Sequence, residues 1–131
     1  MPVPSRISPD DARQLLDSNQ GYVYVDVRTV PEYAAGHVPG AHCIPVLEPV
    51  AGMMAPNPGF VEQVAAKFAK DAKLIVGCQH GVRSQRAAHL LAAAGFEHIA
   101  DMRGGFEGEM DHCGCITYPG WASLGHPVSK A

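Results

Sequence analysis

The sequence predicts a single α/β domain with three layers, α/β/α, in which a parallel sheet of five strands is covered by helices on both faces. Two observations lead to this prediction. Short apolar segments rich in β-branched residues alternate with amphipathic segments along the whole chain. The chain also has 131 residues, of which 47% are hydrophobic and 18% charged. It is therefore long enough to bury a core without a metal or a disulfide.

The first third of the chain is predicted to contain three strands and two helices. A short edge strand at residues 6–7 precedes a helix that has Ser8 as N-cap, a proline at its first position and acidic residues in its first turn. The aromatic and β-branched run at 22–27 predicts a buried strand. One or two helical turns at 31–35 follow, and then a third strand at 41–45.

The middle of the chain continues the alternation. A loop rich in proline and glycine extends to residue 59, and apolar residues at helical spacing then predict a helix at 60–70. The fourth strand is predicted at 73–77, the next helix at 83–94 with a glycine after its last residue, and the fifth strand at 98–102. The remaining residues are rich in glycine and predict a loop with a last helical turn near Trp121.

Charge and hydropathy exclude several classes of function. The chain has 10 Lys+Arg and 13 Asp+Glu, a net charge of −3, and no basic run that would attract nucleic acid. No apolar stretch reaches the ~18 residues of a membrane span. The first residues lack the apolar segment of a secretory signal. We therefore expect a cytoplasmic protein with no nucleic-acid or membrane partner, in which the four cysteines stay reduced.

The segment after the fourth strand carries the residues with the clearest chemistry. Cys78 ends the strand and a helix begins at Arg83 or Ser84. Ligands of parallel sheets bind beyond the carboxyl ends of the strands. The N–H groups at a helix N-terminus stabilise a thiolate or an oxyanion, and Gly81 permits the turn that directs them inward. Arg83 adds a planar cation suited to oxyanions. The sequence predicts that Cys78 is a nucleophile in an anion-binding loop.

These residues resemble the single-domain rhodanese family. The loop 78–84, C-Q-H-G-V-R-S, is similar to the family's active-site pattern C-x-x-G-x-R, and residues 33–44 are similar to its N-terminal signature. Asp26-Val27-Arg28 is also typical of the family. Residues 76–79 and 94–96 are similar to small plant-type and bacterial thiosulfate sulfurtransferases. The resemblance covers about residues 7–127 and implies that residues 1–131 form one rhodanese-like domain.

The resemblance implies a persulfide mechanism. A cysteine takes the outer sulfur of a small anionic donor such as thiosulfate and passes it to cyanide or a thiol. Cys78 is then the nucleophile and Arg83 helps to bind the donor. The rest of the loop holds the persulfide through its backbone, which assigns substrate binding to Gln79, His80, Gly81, Val82 and Ser84. No cofactor and no metal are expected, and no protein partner is indicated.

Two other functions remain open on the same fold. Dual-specificity phosphatases and related arsenate reductases resemble rhodaneses, but they have five residues between cysteine and arginine, whereas this chain has the four residues from Gln79 to Val82. A shorter loop suits a single sulfur atom better than a tetrahedral oxyanion. A sulfur carrier or interaction module is the other alternative, and the reactive Cys78 next to Arg83 disfavours a purely structural role.

Charged residues and histidines near the loop have two possible roles each. Asp26 and Arg28 either line the pocket or pair to hold the strand–loop junction, and we favour the second role as supporting residues. His37 is expected to order its turn through ring hydrogen bonds. His80 either attracts an anionic donor or points to solvent. Arg86 either adds positive field or lies on a solvated helix face, which is the role we favour.

The C-terminal part departs from the family pattern. Phe106 follows the glycine pair as expected, but Trp121 comes only after an apparent insertion at about residues 107–120. This insertion contains Cys113 and Cys115 beside His112, which could form half a zinc site, a redox pair, a second station for sulfur, or no site at all. Cys43 is expected to be a core residue.

Overall fold

A five-stranded parallel sheet forms the centre of the protein. The computed structural model describes residues 4–130. The sheet strands are β1 (Ser5–Ile7), β2 (Tyr22–Asp26), β3 (His42–Cys43), β6 (Lys73–Gly77) and β7 (His98–Met102). Their order is β1-β7-β6-β2-β3, and all four pairings are parallel. This confirms the predicted sheet and places β6 at its middle.

Four helices connect these strands, and two antiparallel hairpins accompany them. The helices are α1 (Pro9–Asp17), α2 (Val30–Ala35), α3 (Phe60–Lys67) and α4 (Arg83–Ala93). The hairpins are β4 (Leu47–Val50) with β5 (Met53–Pro56), and β8 (Gly108–Met110) with β9 (Ile116–Pro119). Within residues 4–130, no helix is long and apolar enough to cross a membrane.

Local signals explain where the helices begin. The Ser8 side chain accepts a hydrogen bond from the Asp11 N–H at 3.0 Å, which makes Ser8 the N-cap of α1 as predicted. Helix α2 begins at a capping box, in which the Glu32 carboxylate accepts the backbone N–H of Thr29 at 3.1 Å. Both caps satisfy N–H groups that have no partner within the helix.

Helices cover both faces of the sheet, which confirms the three layers. On one face, the strand residues Val25 and Val76 pack with residues of α3 and α4 such as Phe60 and Leu91. On the other face, Tyr24, Ile75 and Met102 pack with α1 and Trp121. Alternate residues of each strand thus enter opposite cores, as the period of two requires. Trp121 begins a turn in which the N–H of Leu124 donates to the carbonyl of Gly120, four residues earlier, at 3.2 Å, which matches the single helical turn predicted near it.

Three predictions about local structure were wrong. Both hairpins lie in segments that were predicted as loops, since proline and glycine hide the short strands. Helix α3 ends at Lys67 rather than at residue 70, because Phe68 adopts an extended backbone with φ −133°. The hairpin β8–β9 occupies the apparent insertion at 107–120. Its pairing begins with Gly108 opposite Pro119, and the register shifts between Glu109 and Met110.

Candidate active site

Cys78 occupies the position directly after β6, the middle strand of the sheet. The strand before it is buried on both faces, and its apolar run explains why the chain enters the core here. Five residues, 78–82, lead from the strand to the first residue of α4, Arg83. The Cys78 side chain is only 1% exposed. The Cys78 sulfur is therefore held inside the loop rather than displayed on the surface.

Backbone N–H groups surround the sulfur atom. The N–H of Gly81 donates to Sγ of Cys78 at 3.1 Å, and the N–H of Ser84 donates to it at 3.3 Å. The thiol itself donates to the Ser84 hydroxyl at 3.5 Å. Gly81 has φ +92°, and a Cβ on it would lie 3.0 Å from the backbone nitrogen of Gly104. Glycine is thus required here both by conformation and by space.

The segment after β7 supports the loop from behind. The carbonyl of Cys78 accepts the N–H of Phe106 at 2.7 Å, and the carbonyl of Gln79 accepts the N–H of Glu107 at 2.9 Å. The exposed ring of His80 hydrogen-bonds through Nδ1 to the carbonyl of Gly108 at 2.9 Å. His80 therefore ties the loop to the hairpin β8–β9. The Val82 side chain next to it is 73% exposed.

Asp26 and Arg28 form a buried ion pair beside the loop. Nη2 of Arg28 lies 2.7 Å from Oδ2 of Asp26, and each residue is 2% exposed. The same guanidinium donates to Oε1 of Gln79 at 2.7 Å and to the carbonyl of Gly36 at 2.7 Å, and it lies over the ring of Phe106. This network joins β2 to the loop, which is the supporting arrangement that we favoured from the sequence.

Arg83 pairs with an acidic residue that the sequence analysis did not place at the site. Its two terminal nitrogens donate to the two carboxylate oxygens of Glu32 at 2.8 and 2.9 Å. The hydrogen bond from Arg83 lowers the pKa of Glu32 from 4.5 to about 2, although burial opposes the change. The pairing also raises the pKa of Arg83. The guanidinium of Arg83 is therefore already paired with Glu32 and is not a free cation for an anionic sulfur donor.

Three further residues discussed in the sequence analysis lie around the site and make no contact with the Cys78 sulfur in the hydrogen bonds described above. The ring of His37 stacks on Tyr33 with centroids 3.7 Å apart, and its Nδ1 hydrogen-bonds to the Tyr33 carbonyl at 2.8 Å. His37 thus orders its turn as expected. Arg86 is exposed on α4. Cys43 was expected in the core but is only half-buried, and burial is the main cause that raises its pKa to about 11.

The cysteine pair of the hairpin lies apart from the buried thiol. Cys113 and Cys115 are exposed and free, between β8 and β9. Oδ1 of Asp111 accepts the N–H of Cys113 at 2.9 Å and that of Cys115 at 3.0 Å. Within residues 4–130 no three His, Cys, Asp or Glu side chains are grouped to hold a metal. The redox and sulfur-relay hypotheses for this pair stay predictions.

The arrangement is suited to a sulfur-centred anion. Two N–H groups converge on Cys78 Sγ, and they lie at or next to the N-terminus of an 11-residue helix, whose dipole favours negative charge. The sulfur-bearing residue itself is almost fully buried. A thiolate, or a sulfur atom attached to it, would meet donors that are already oriented toward it.

Comparison with known proteins gives consistent matches. A family model described as the rhodanese-like domain matches residues 8–110. Thiosulfate sulfurtransferase 16, chloroplastic, of Arabidopsis thaliana is 39% identical over 126 residues, which are 96% of this chain and 93% of that protein. Thiosulfate sulfurtransferase GlpE of Pseudomonas fluorescens (strain SBW25) is 36% identical over 121 residues, 92% of this chain and 94% of that protein.

Solved structures agree with these sequence matches. The crystal structure of Rv0390 from M. tuberculosis has a TM-score of 0.81 and 25% identity to this chain, and the match covers 97% of this chain and 98% of that one. Some curated relatives are longer: the chain spans between 54% and 56% of the length of three of them.

Proposed function

This chain belongs to the rhodanese family, and on that premise we propose that it moves sulfane sulfur from an anionic donor such as thiosulfate to cyanide or a thiol through a persulfide on Cys78. The chain is a rhodanese-type sulfurtransferase, like the relatives of similar length. What we propose beyond this class of activity is the identity of the sulfur donor and acceptor and the persulfide intermediate on Cys78. The predicted cytoplasmic location stays a prediction that cell fractionation can test.

One observation carries the proposal, namely the convergence of two backbone N–H groups on the buried sulfur of Cys78. In the proposed reaction, the thiolate attacks the outer sulfur of thiosulfate, the S–S bond of the donor breaks, and sulfite leaves with the electron pair. The outer sulfur of the resulting persulfide carries the negative charge. The N–H groups of the loop stabilise that charge, as they stabilise the thiolate.

The second half of the reaction regenerates the enzyme. The acceptor attacks the outer sulfur of the persulfide, the Cys78–sulfur bond breaks, and its electron pair returns to Sγ as a thiolate. Cyanide then leaves as thiocyanate and a thiol leaves as a persulfide. The same cradle stabilises the leaving thiolate, so one set of donors serves both steps.

The size of the loop supports a sulfur atom rather than a phosphate. Phosphatases and arsenate reductases on this fold must surround three or more oxygens. Here the two N–H groups lie 3.1 and 3.3 Å from Sγ itself, and the guanidinium of Arg83 is bidentate to Glu32. These contacts favour sulfur transfer over the phosphatase and arsenate reductase alternatives.

The intact mass of the protein after incubation with thiosulfate tests the proposal. We expect a gain of about 32 Da, one sulfur atom, that cyanide removes and that Cys78→Ser does not show. The matched control is the double variant Cys113→Ser/Cys115→Ser, which removes the exposed thiols and is expected to keep the adduct. An adduct on Cys78→Ser, or none on the unmodified protein, would contradict the proposal.

A further inference from the structure

The loop that carries Cys78 is fastened to the segment after β7 by two backbone hydrogen bonds. The carbonyl of Cys78 accepts the N–H of Phe106 at 2.7 Å. The carbonyl of the next residue, Gln79, accepts the N–H of Glu107 at 2.9 Å. In a trans peptide the N–H points away from the C=O, so the N–H groups of residues 79 and 80 are turned away from this segment. Within residues 4–130 neither of these two N–H groups has a protein acceptor.

Glu107 holds Gln79 through its side chain as well. Nε2 of Gln79 donates to Oε2 of Glu107 at 2.5 Å, and Nη1 of Arg28 donates to Oε1 of Gln79 at 2.7 Å. The reverse orientation of the amide would bring its NH2 group against a guanidinium and its oxygen against a carboxylate. Only one orientation of the Gln79 side chain therefore satisfies both partners, and Glu107 fixes this residue at two points, by main chain and by side chain.

Packing does not fix the Gln79 side chain in the same way. Gln79 lines a cavity of about 310 Å³ together with Phe106, Glu107 and Ile116 from β9. A side chain beside open space has several staggered rotamers available, unless polar partners select one of them. The two side-chain hydrogen bonds are therefore what holds Gln79 in the observed conformation.

The carboxylate of Glu107 has no other partner that would explain its place beside the loop. Within residues 4–130 it forms no ion pair, and its one side-chain hydrogen bond is the one to Gln79. The nearby guanidinium of Arg28 is paired with Asp26 instead. A negative charge next to a loop that receives an anionic donor is unfavourable by Coulomb's law. The contact with Gln79 is thus the feature that a role for Glu107 has to explain.

The outer sulfur of the proposed persulfide needs hydrogen-bond donors of its own. The N–H groups of Gly81 and Ser84 lie 3.1 and 3.3 Å from Sγ itself and are therefore directed at the inner sulfur atom. The atom that Cys78 receives lies about 2 Å further out, and it carries the negative charge in the proposed reaction. Donors that are already oriented toward such a charge stabilise the transition state most. The unused N–H groups of residues 79 and 80 belong to the same loop and suit this task.

We propose that Glu107 is a positioning residue for the sulfur transfer. With Arg28 it fixes the side-chain amide of Gln79, and with its own N–H it fixes the following peptide, so that the N–H groups of residues 79 and 80 stay available to the sulfur that Cys78 receives. Glu107 acts through Gln79 and does not itself bind the donor. This inference rests on the proposed function and adds no covalent step to it.

The experiment measures adduct formation on Cys78 by intact mass in single-turnover reactions over a range of thiosulfate concentrations. Its two readouts are the rate at saturating thiosulfate and the concentration that gives half of that rate. The variants are Glu107→Ala, Glu107→Gln, Gln79→Glu and the exchange variant Gln79→Glu/Glu107→Gln. The matched control is Glu109→Ala, because Glu109 lies in the same segment but pairs with Arg103. Within residues 4–130, Glu109 makes no hydrogen bond to residues 78–84.

We expect Glu107→Ala to lower the saturating rate by about tenfold, less than the 10²-fold that a misplacement of about 1 Å can cost. The half-saturating concentration should change by less than about twofold, because these donors act in the transition state rather than in donor binding. Glu107→Gln keeps an oxygen that accepts the Gln79 amide, so it should stay close to the unmodified protein, as should Glu109→Ala. Gln79→Glu sets two carboxylates against each other and should be as slow as Glu107→Ala. The exchange variant restores a donor and an acceptor at this contact and should recover most of the rate.

Three results would overturn the inference. An unchanged saturating rate in Glu107→Ala would show that the side chain does not position the loop. Faster reactions in both Glu107→Ala and Glu107→Gln would show that the carboxylate acts only as a repelling charge. If Glu107→Ala does not fold, the exchange variant decides, because a rate no higher than that of Gln79→Glu would show that the contact between the two side chains is not what matters.

The same data separate this inference from the proposed function. An unmodified protein that forms no adduct at any thiosulfate concentration would overturn the proposed function, and the role of Glu107 with it. An unmodified protein that forms the adduct, together with variants whose saturating rates are unchanged, would overturn the role of Glu107 alone.

Discussion

Replacing Gly105 with alanine tests how tightly the active-site loop is packed against the segment behind it. Gly105 has φ +66°, and a Cβ built on it would lie 2.5 Å from the carbonyl oxygen of Cys78 and 2.8 Å from the carbonyl carbon of Gln79. These neighbours are backbone atoms at the base of the loop, so they cannot move aside as the end of a side chain could. The substitution therefore pushes directly on the backbone of Cys78, the proposed nucleophile.

The expected cost has two parts that a second glycine separates. An L-residue in the left-handed region costs about 1–2 kcal/mol, and overpacking costs about 1–3 kcal/mol. Alanine also makes the unfolded chain less flexible than glycine does, and this stabilises the folded state by about 0.4–1 kcal/mol. Gly105→Ala should thus lose about 1–4.5 kcal/mol of unfolding free energy. Gly114 has φ +82° with nothing within 4 Å, so Gly114→Ala carries only the conformational cost.

Urea unfolding of the two variants measures the difference. We expect the midpoint of Gly105→Ala to fall further than that of Gly114→Ala at an unchanged slope, by an amount equivalent to about 1–3 kcal/mol. The rate of adduct formation on Cys78 should fall in Gly105→Ala and stay unchanged in Gly114→Ala. Equal losses of stability in the two variants, or a normal reaction rate in Gly105→Ala, would refute the argument from close contact.

Three further predictions concern the charged groups. In Glu32→Gln the guanidinium of Arg83 loses a competing anion, and we expect the KM for thiosulfate to fall about fivefold, equivalent to about 1 kcal/mol; a rise in KM would show that the pair positions Arg83 instead. Because the pKa of Glu32 is lowered from 4.5 to about 2, the stability that it contributes is present above pH 4.5 and is lost as the pH falls toward 2. The difference in unfolding free energy between the unmodified protein and Glu32→Gln should therefore be constant from neutral pH to about 5 and shrink below it, and a difference that grows in acid would contradict this. Asp26→Asn leaves the buried Arg28 without its carboxylate and should cost about 3–5 kcal/mol in urea unfolding; a loss below about 1 kcal/mol would contradict the buried pair.

Local patterns in the sequence were sufficient to predict the sheet and to place Cys78 at the start of a loop that leads into a helix. The strand before Cys78 has an apolar run at residues 74–76 because it is buried on both faces, and such runs are visible in the sequence without any partner. Ser8 and Pro9 mark the start of α1 because a cap is a contact between near neighbours. The hairpins escaped prediction because their strands are short, three of the four contain a proline, and they are stabilised by pairing rather than by a buried apolar face.

Contacts between residues that are distant in the sequence could not be predicted from local patterns. Glu32 and Arg83 are separated by 51 positions in the sequence. The local contact that Glu32 makes is the capping box at the start of α2, and it gives no hint of the distant arginine. The side chain of Arg83 was expected to be available for the donor, whereas the structure shows it held by two hydrogen bonds. A charged side chain has several possible partners along a chain, and only folding selects one of them.

The sequence by itself determined the order of the strands along the chain, the parallel α/β class, and a loop in which Cys78, Gly81 and the start of a helix follow one another. These features depend on periodicity and on neighbours within a few positions, where geometry is nearly independent of the rest of the molecule. Only the tertiary structure decided which groups surround the sulfur. The alignment of β7 beside β6 pairs Asp101 with Val76, two positions before the cysteine, because partners in a parallel sheet are chosen by packing across the whole core and not by any local signal.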